Sequence, residues 1–103
     1  MIHRLKSWPE PFEEIRLGVK RTEIRSDGPA KGHARFNGGD VLILKEWDPT
    51  EARYTGRQLS VLVRRLTRLW EAPSEWDFQG ASVVVMEIEV LGVAGGASTA
   101  DKS

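Results

Sequence analysis

The chain has 103 residues, enough to close one modest core and no second one. Hydrophobic residues make up 40% and charged residues 29%, the balance of an ordinary globular domain rather than a disordered or membrane-embedded chain. Lys and Arg number 15 against 15 Asp and Glu, and this zero net charge argues against a protein that clamps a long phosphate backbone; any nucleic-acid contact is local and short.

The opening "MIHRLKSWPEPF" lacks the apolar run of a signal peptide, and no stretch approaches the roughly 20 apolar residues of a membrane helix, so a cytoplasmic location is expected. Ile2 and Leu5 mark an edge strand. Prolines and acidic residues favour the start of a helix and glycine its end, so the pattern predicts a short helix over Pro9 to Leu17, stopped at Gly18. Phe12, Ile15 and Trp8 are its expected buried face. In "KRTEIRS" the alternation sets Thr22 and Ile24 on one side of a half-buried strand and Arg21, Glu23 and Arg25 on the other. The polar loop "SDGPAKGHARFNGG" follows.

Next, "DVLILKEW" reads as a strand covered on both faces, and "DPTEARYTG" as a turn carrying Pro49 and Gly56. The segment "RQLSVLVRRLTRLW" fits two periods: Leu59, Leu62, Leu66 and Leu69 form a helical stripe, whereas Leu59, Val61 and Val63 form one face of a strand. In "SVVVMEIEV", Val84, Met86, Ile88 and Val90 share a face and Glu87 and Glu89 take the other, the clearest strand in the chain. The expected domain therefore spans 1–91, with a disordered tail over 92–103. One early helix among several strands predicts an α+β fold.

"HRLK" at His3 to Lys6, the proline-led helix, "GVKRTEIR", "GGDVLILKEWDP" and "YTGR" occur in the order found in the ASCH superfamily of small bacterial and phage proteins, which this chain resembles over roughly residues 1 to 90. The resemblance implies a small PUA-like β-barrel of five or six mixed strands with a short N-terminal helix across one end. It also implies a strand, not a helix, over Gln58 to Leu69. The loop between "EIR" and the Gly-Asp pair is longer and richer in glycine here than in relatives.

The same resemblance places a pocket at Gly18, Lys20, Glu23 and Arg25. Lys20 supplies a compact cation and Arg25 a planar fork for a phosphate, a carboxylate or a base edge. In a regular strand Lys20 points away from Glu23 and Arg25, so the three converge only if Lys20 lies on the turn after Gly18 or on a bulge. Otherwise Arg21, Glu23 and Arg25 form a solvated ladder. His3 and Lys6 belong to the family's opening motif and are candidates for the pocket border. Trp47, Tyr54 and Arg57 flank the hairpin "EWDPTEARYTGR", where an aromatic beside an arginine suits base stacking. No cysteine is present, and His3 and His33 have no cluster of carboxylates at metal-binding spacing, so neither a metal nor a cofactor is expected.

Three functions follow as expectations. The first is binding of short single-stranded RNA or a nucleotide through His3, Lys6, Lys20, Glu23, Arg25, Trp47, Tyr54 and Arg57. The second is enzymatic action on a modified nucleoside, with Lys20 and Glu23 as catalytic candidates. One ASCH branch is an amidohydrolase of acetylcytidine, but Glu23 stands where that branch has a threonine, which removes the hydroxyl nucleophile. The third is an accessory role in binding another protein through Trp70 and Trp76.

Overall fold

A computed structural model of the protein describes residues 1–27, 35–71 and 82–95. Strand β1 (Ile2–Ser7) buries His3, Leu5 and Ser7 and turns Ile2, Arg4 and Lys6 outward. Helix α1 (Pro9–Arg16) carries proline in its first turn, where no backbone donor is needed, and Arg16 in its last. Phe12 and Ile15, three residues apart on one face, are buried. Full burial of Phe12 contributes about 1.5–3 kcal/mol. The helix stops where Gly18 takes a φ of +79°, a left-handed conformation that glycine adopts without strain.

Strands β2 (Thr22–Asp27), β3 (Val41–Asp48), β4 (Arg53–Glu71) and β5 (Ser82–Ala94) complete a mixed sheet of order β1-β3-β4-β5-β2 among the described residues. The β1–β3 pair is parallel and the others antiparallel. The sheet curls into a half-barrel with β1 and β2 at its two edges. Its concave face holds Leu42, Leu44, Leu59, Val61, Val63, Val84 and Met86, all fully buried. Helix α1 packs on β3 and β5 and delivers Phe12 and Ile15 to that core. No described helix is long and apolar enough to cross a membrane.

The segment of double periodicity is strand throughout, paired with β3 on one side and β5 on the other. Pairing overrides the leucine stripe: Leu59, Val61 and Val63 are buried, whereas Leu69 is 55% exposed. The turn after β3 is shorter than expected, because β4 already begins at Arg53 and Gly56 lies within it at a φ of +99°. Strand β3 is buried on one face at Leu42, Leu44 and Glu46 and half-buried on the other, rather than covered on both. Strand β5 runs to Ala94, three residues into the expected tail; the remainder of that tail beyond residue 95 lies outside the described residues.

In β2 the inner face carries Glu23, which is buried, while Ile24 is 60% exposed. Register decides between the two sides, since Glu23 lies opposite Met86 of β5, and cross-strand partners share a face. One expectation about a face is corrected. Trp8, expected on the buried face of the helix, is 56% exposed. It precedes α1 in extended conformation and contributes its carbonyl, which accepts the Phe12 N–H at 3.0 Å.

Candidate functional site

The two edge strands of the half-barrel face a cleft of about 360 Å³, which Lys6, Lys20, Glu23 and Arg25 line together with Trp8 and Pro11. Each cation comes from a different element. Lys6 projects from β1 and Arg25 from β2, while Lys20 sits on the connection between α1 and β2. The N–H groups of Val19 and Lys20 both donate to the Glu14 carbonyl, at 2.9 and 3.0 Å, so the chain leaves the helix in a tight turn. That turn lets Lys20 line the same cleft as Glu23 and Arg25, which a regular strand would prevent.

Arg25 holds the cleft's architecture. Its Nε donates to Glu23 Oε2 at 2.6 Å and its Nη2 to the Lys6 carbonyl oxygen at 2.8 Å. One guanidinium thus ties β2 to β1 across the seam where no backbone ladder joins them. Glu23, with its side chain only 8% exposed, is offset by this ion pair rather than buried alone. Lys20 has no side-chain hydrogen bond or ion pair among the described residues, so its ammonium is available to a ligand.

Aromatic residues adjoin the cleft through Lys6, whose Nζ stands 3.9 Å from the centroid of the Trp47 ring. Trp47 in turn meets Tyr54 edge to face, with centroids 4.9 Å apart. Neither ring lines the cleft itself, whereas Trp8 does, although its sequence position suggested only a core role.

Arg57 and His3 lie elsewhere. Arg57 donates through Nε to Glu46 Oε1 at 2.9 Å and through Nη2 to Glu13 Oε1 at 3.0 Å, with its guanidinium 4.8 Å from the Phe12 ring centroid. The Thr55 hydroxyl donates to Glu46 at 2.7 Å. The cluster fastens α1 to β3 and β4. The Arg57 hydrogen bond, opposed by burial and aided by Thr55, holds the Glu46 carboxyl below its ordinary range. Glu13 is lowered to about 2, chiefly by its hydrogen bonds from Arg16 and then from Arg57. A carboxylate in the buried register of "DVLILKEW", after Leu42 and Leu44, was the sequence signal for such a partner.

His3 is buried, its Nε2 2.8 Å from Asp40 Oδ2 and its ring 4.5 Å from that of Phe36. Asp40 also accepts the Asn37 N–H at 2.9 Å and the Met1 amino group at 3.1 Å. Burial pushes the Asp40 carboxyl upward, but these hydrogen bonds outweigh it and leave the group below its ordinary value. This cluster pins the start of β1 to the turn before β3. Among the described residues no group of three or more His, Asp or Glu side chains is arranged to hold a metal. Trp70 lies in β4 opposite Val83, but its side chain, like all of Trp76, falls outside the described residues.

A family described as Domain of unknown function (DUF3850) matches residues 2–87, and the chain belongs to that family. The solved structure of hypothetical protein PH0355 is similar in fold, with a TM-score of 0.58 at 17% identity, over 88% of this chain and 100% of that one. No curated protein matches the sequence.

Proposed function

We propose that this DUF3850 member is an ASCH-type, PUA-like domain that binds single-stranded RNA or a nucleotide in the cleft between β1 and β2. The observation that carries the reading is the charge of that cleft. Lys6, Lys20 and Arg25 line it against one carboxylate among the described residues, in a chain whose net charge is zero. That carboxylate is paired with Arg25 and the Lys6 ammonium stands over Trp47, so the Lys20 ammonium is the charge left to meet an anion. The volume of about 360 Å³ falls in the range of small-molecule sites, and an exposed Trp8 on the wall offers a face for a base. Glu23 Oε1, the oxygen that Arg25 Nε does not engage, can accept from an exocyclic amino group, as carboxylates do from cytosine.

Titration of the ¹⁵N-labelled protein with cytidine monophosphate tests the reading. The expected shifts centre on the amides of Lys6, Lys20, Glu23 and Arg25. Shifts confined to the Arg57 or His3 clusters, or none at millimolar nucleotide, would dismiss it.

Because Lys20 and Glu23 share the cleft, an acid–base enzyme acting on a modified nucleoside is the second reading. It is weaker, since the Glu23 carboxylate is committed to Arg25 at 2.6 Å. Incubation with acetylcytidine at high protein concentration decides it: release of acetate supports catalysis, and recovery of intact nucleoside removes it.

A further inference from the structure

Lys20 also lines a second groove, of about 340 Å³, beside the end of α1. Part of this groove is apolar, formed by Ile15 of α1 with Ile88 and Val90 of β5. Its charged residues divide into two kinds. Arg16 is held by Glu13 through two hydrogen bonds of 2.7 and 2.8 Å, and Glu89 by Arg64 at 3.0 Å. The side chains of Lys20 and Arg21 have neither a hydrogen bond nor an ion pair among the described residues.

The helix end does not oppose an anion here. The carbonyls of Glu13, Glu14 and Ile15 already accept N–H groups from Leu17, Val19, Lys20 and Gly18, which caps the negative end of the helix.

We infer that the ligand is a single strand of at least two nucleotides, with the linking phosphate on Lys20, one nucleotide in the β1–β2 cleft and the next in this groove. The inference rests on the nucleic-acid reading of the cleft and extends it. A phosphodiester places one negative charge between two flat, largely apolar bases. The molecule offers a matching series: a cleft with an exposed tryptophan, an ammonium common to both recesses, and a partly apolar groove with a guanidinium, neither cation having a partner among the described residues. Val90, 37% exposed, would cover the face of the second base above the buried Ile88, and Arg21 offers a fork to its phosphate or edge.

The test compares a 5′-phosphorylated mononucleotide with the 5′-phosphorylated dinucleotide in calorimetric titrations at one ionic strength. The dinucleotide is expected to bind about tenfold more tightly, the gain from one further charge-assisted contact. In Arg21→Ala the two affinities should converge, while circular dichroism shows the fold intact, since Arg21 is exposed. Equal affinities in the wild-type chain would overturn the two-nucleotide inference and leave the cleft reading standing. Failure of both compounds to bind at millimolar concentration would overturn both readings.

Discussion

Substitution Arg25→Lys separates the charge of Arg25 from its geometry. The guanidinium makes two directed bonds, to Glu23 at 2.6 Å and to the Lys6 carbonyl at 2.8 Å. A lysine ammonium keeps the positive charge opposite Glu23 but cannot reproduce the planar fork, so the link to β1 is lost. A hydrogen bond involving a charged group contributes roughly 1.5–3 kcal/mol when water is excluded. Arg25 is 27% exposed, so solvent competes and the expected loss is nearer 1–1.5 kcal/mol. For a domain of this size that lowers Tm by about 4–12 °C. Differential scanning calorimetry at pH 7 measures it, with Arg21→Lys as a control that leaves Tm in place. Amide exchange in β1 and β2 should also accelerate relative to β4. A Tm within 1 °C of wild type would refute the argument that Arg25 closes the seam.

Replacing Glu46 by Gln should destabilise the domain by about 2–3 kcal/mol, below the full cost of breaking a buried ion pair because Arg57 is 24% exposed; urea unfolding checks the value. Acid should act through the same carboxylates. Glu46 and Asp40 are held below their ordinary 4.5 and 3.8, and Glu13 at about 2, so their stabilisation is complete above those ordinary values and is lost as pH falls through the folded-state values. Urea midpoints are therefore expected to fall from pH 5 to pH 3, and less steeply in Glu46→Gln. A midpoint that rises on acidification would contradict this assignment.

Strand β5 was legible because its alternation is strict and its apolar face meets the core at Val84, Met86 and Ile88. The helix was legible from its prolines and from Gly18, whose φ is the one that ends a helix. In β2 alternation separates the two sides of the strand, but only register decides which is inner. The pairing of Glu23 with Met86 turns the carboxylate inward, where Arg25 offsets it. The cleft was half visible. Lys20, Glu23 and Arg25 are close in sequence and Lys6 came from the opening motif, but Trp8 enters only through the fold. Arg57 and His3 lie outside the cleft, held by Glu46, Glu13 and Asp40, which are 11, 44 and 37 positions away. Long-range ion pairing is invisible to spacing rules.

The proposed contact between the phosphate of a single-stranded nucleic acid and the Lys20 ammonium, which has no partner among the described residues, is open to a direct test. Fluorescence anisotropy of a labelled octaribonucleotide is titrated with wild-type protein and with Lys20→Ala over a range of salt. Binding should weaken with salt, with a slope of about −1.4 for two neutralised phosphates, and in Lys20→Ala the affinity should be roughly 10- to 100-fold lower and the slope reduced by about 0.7. Binding of equal strength and equal salt dependence in the variant, or none by the wild-type chain at millimolar concentration, would contradict it.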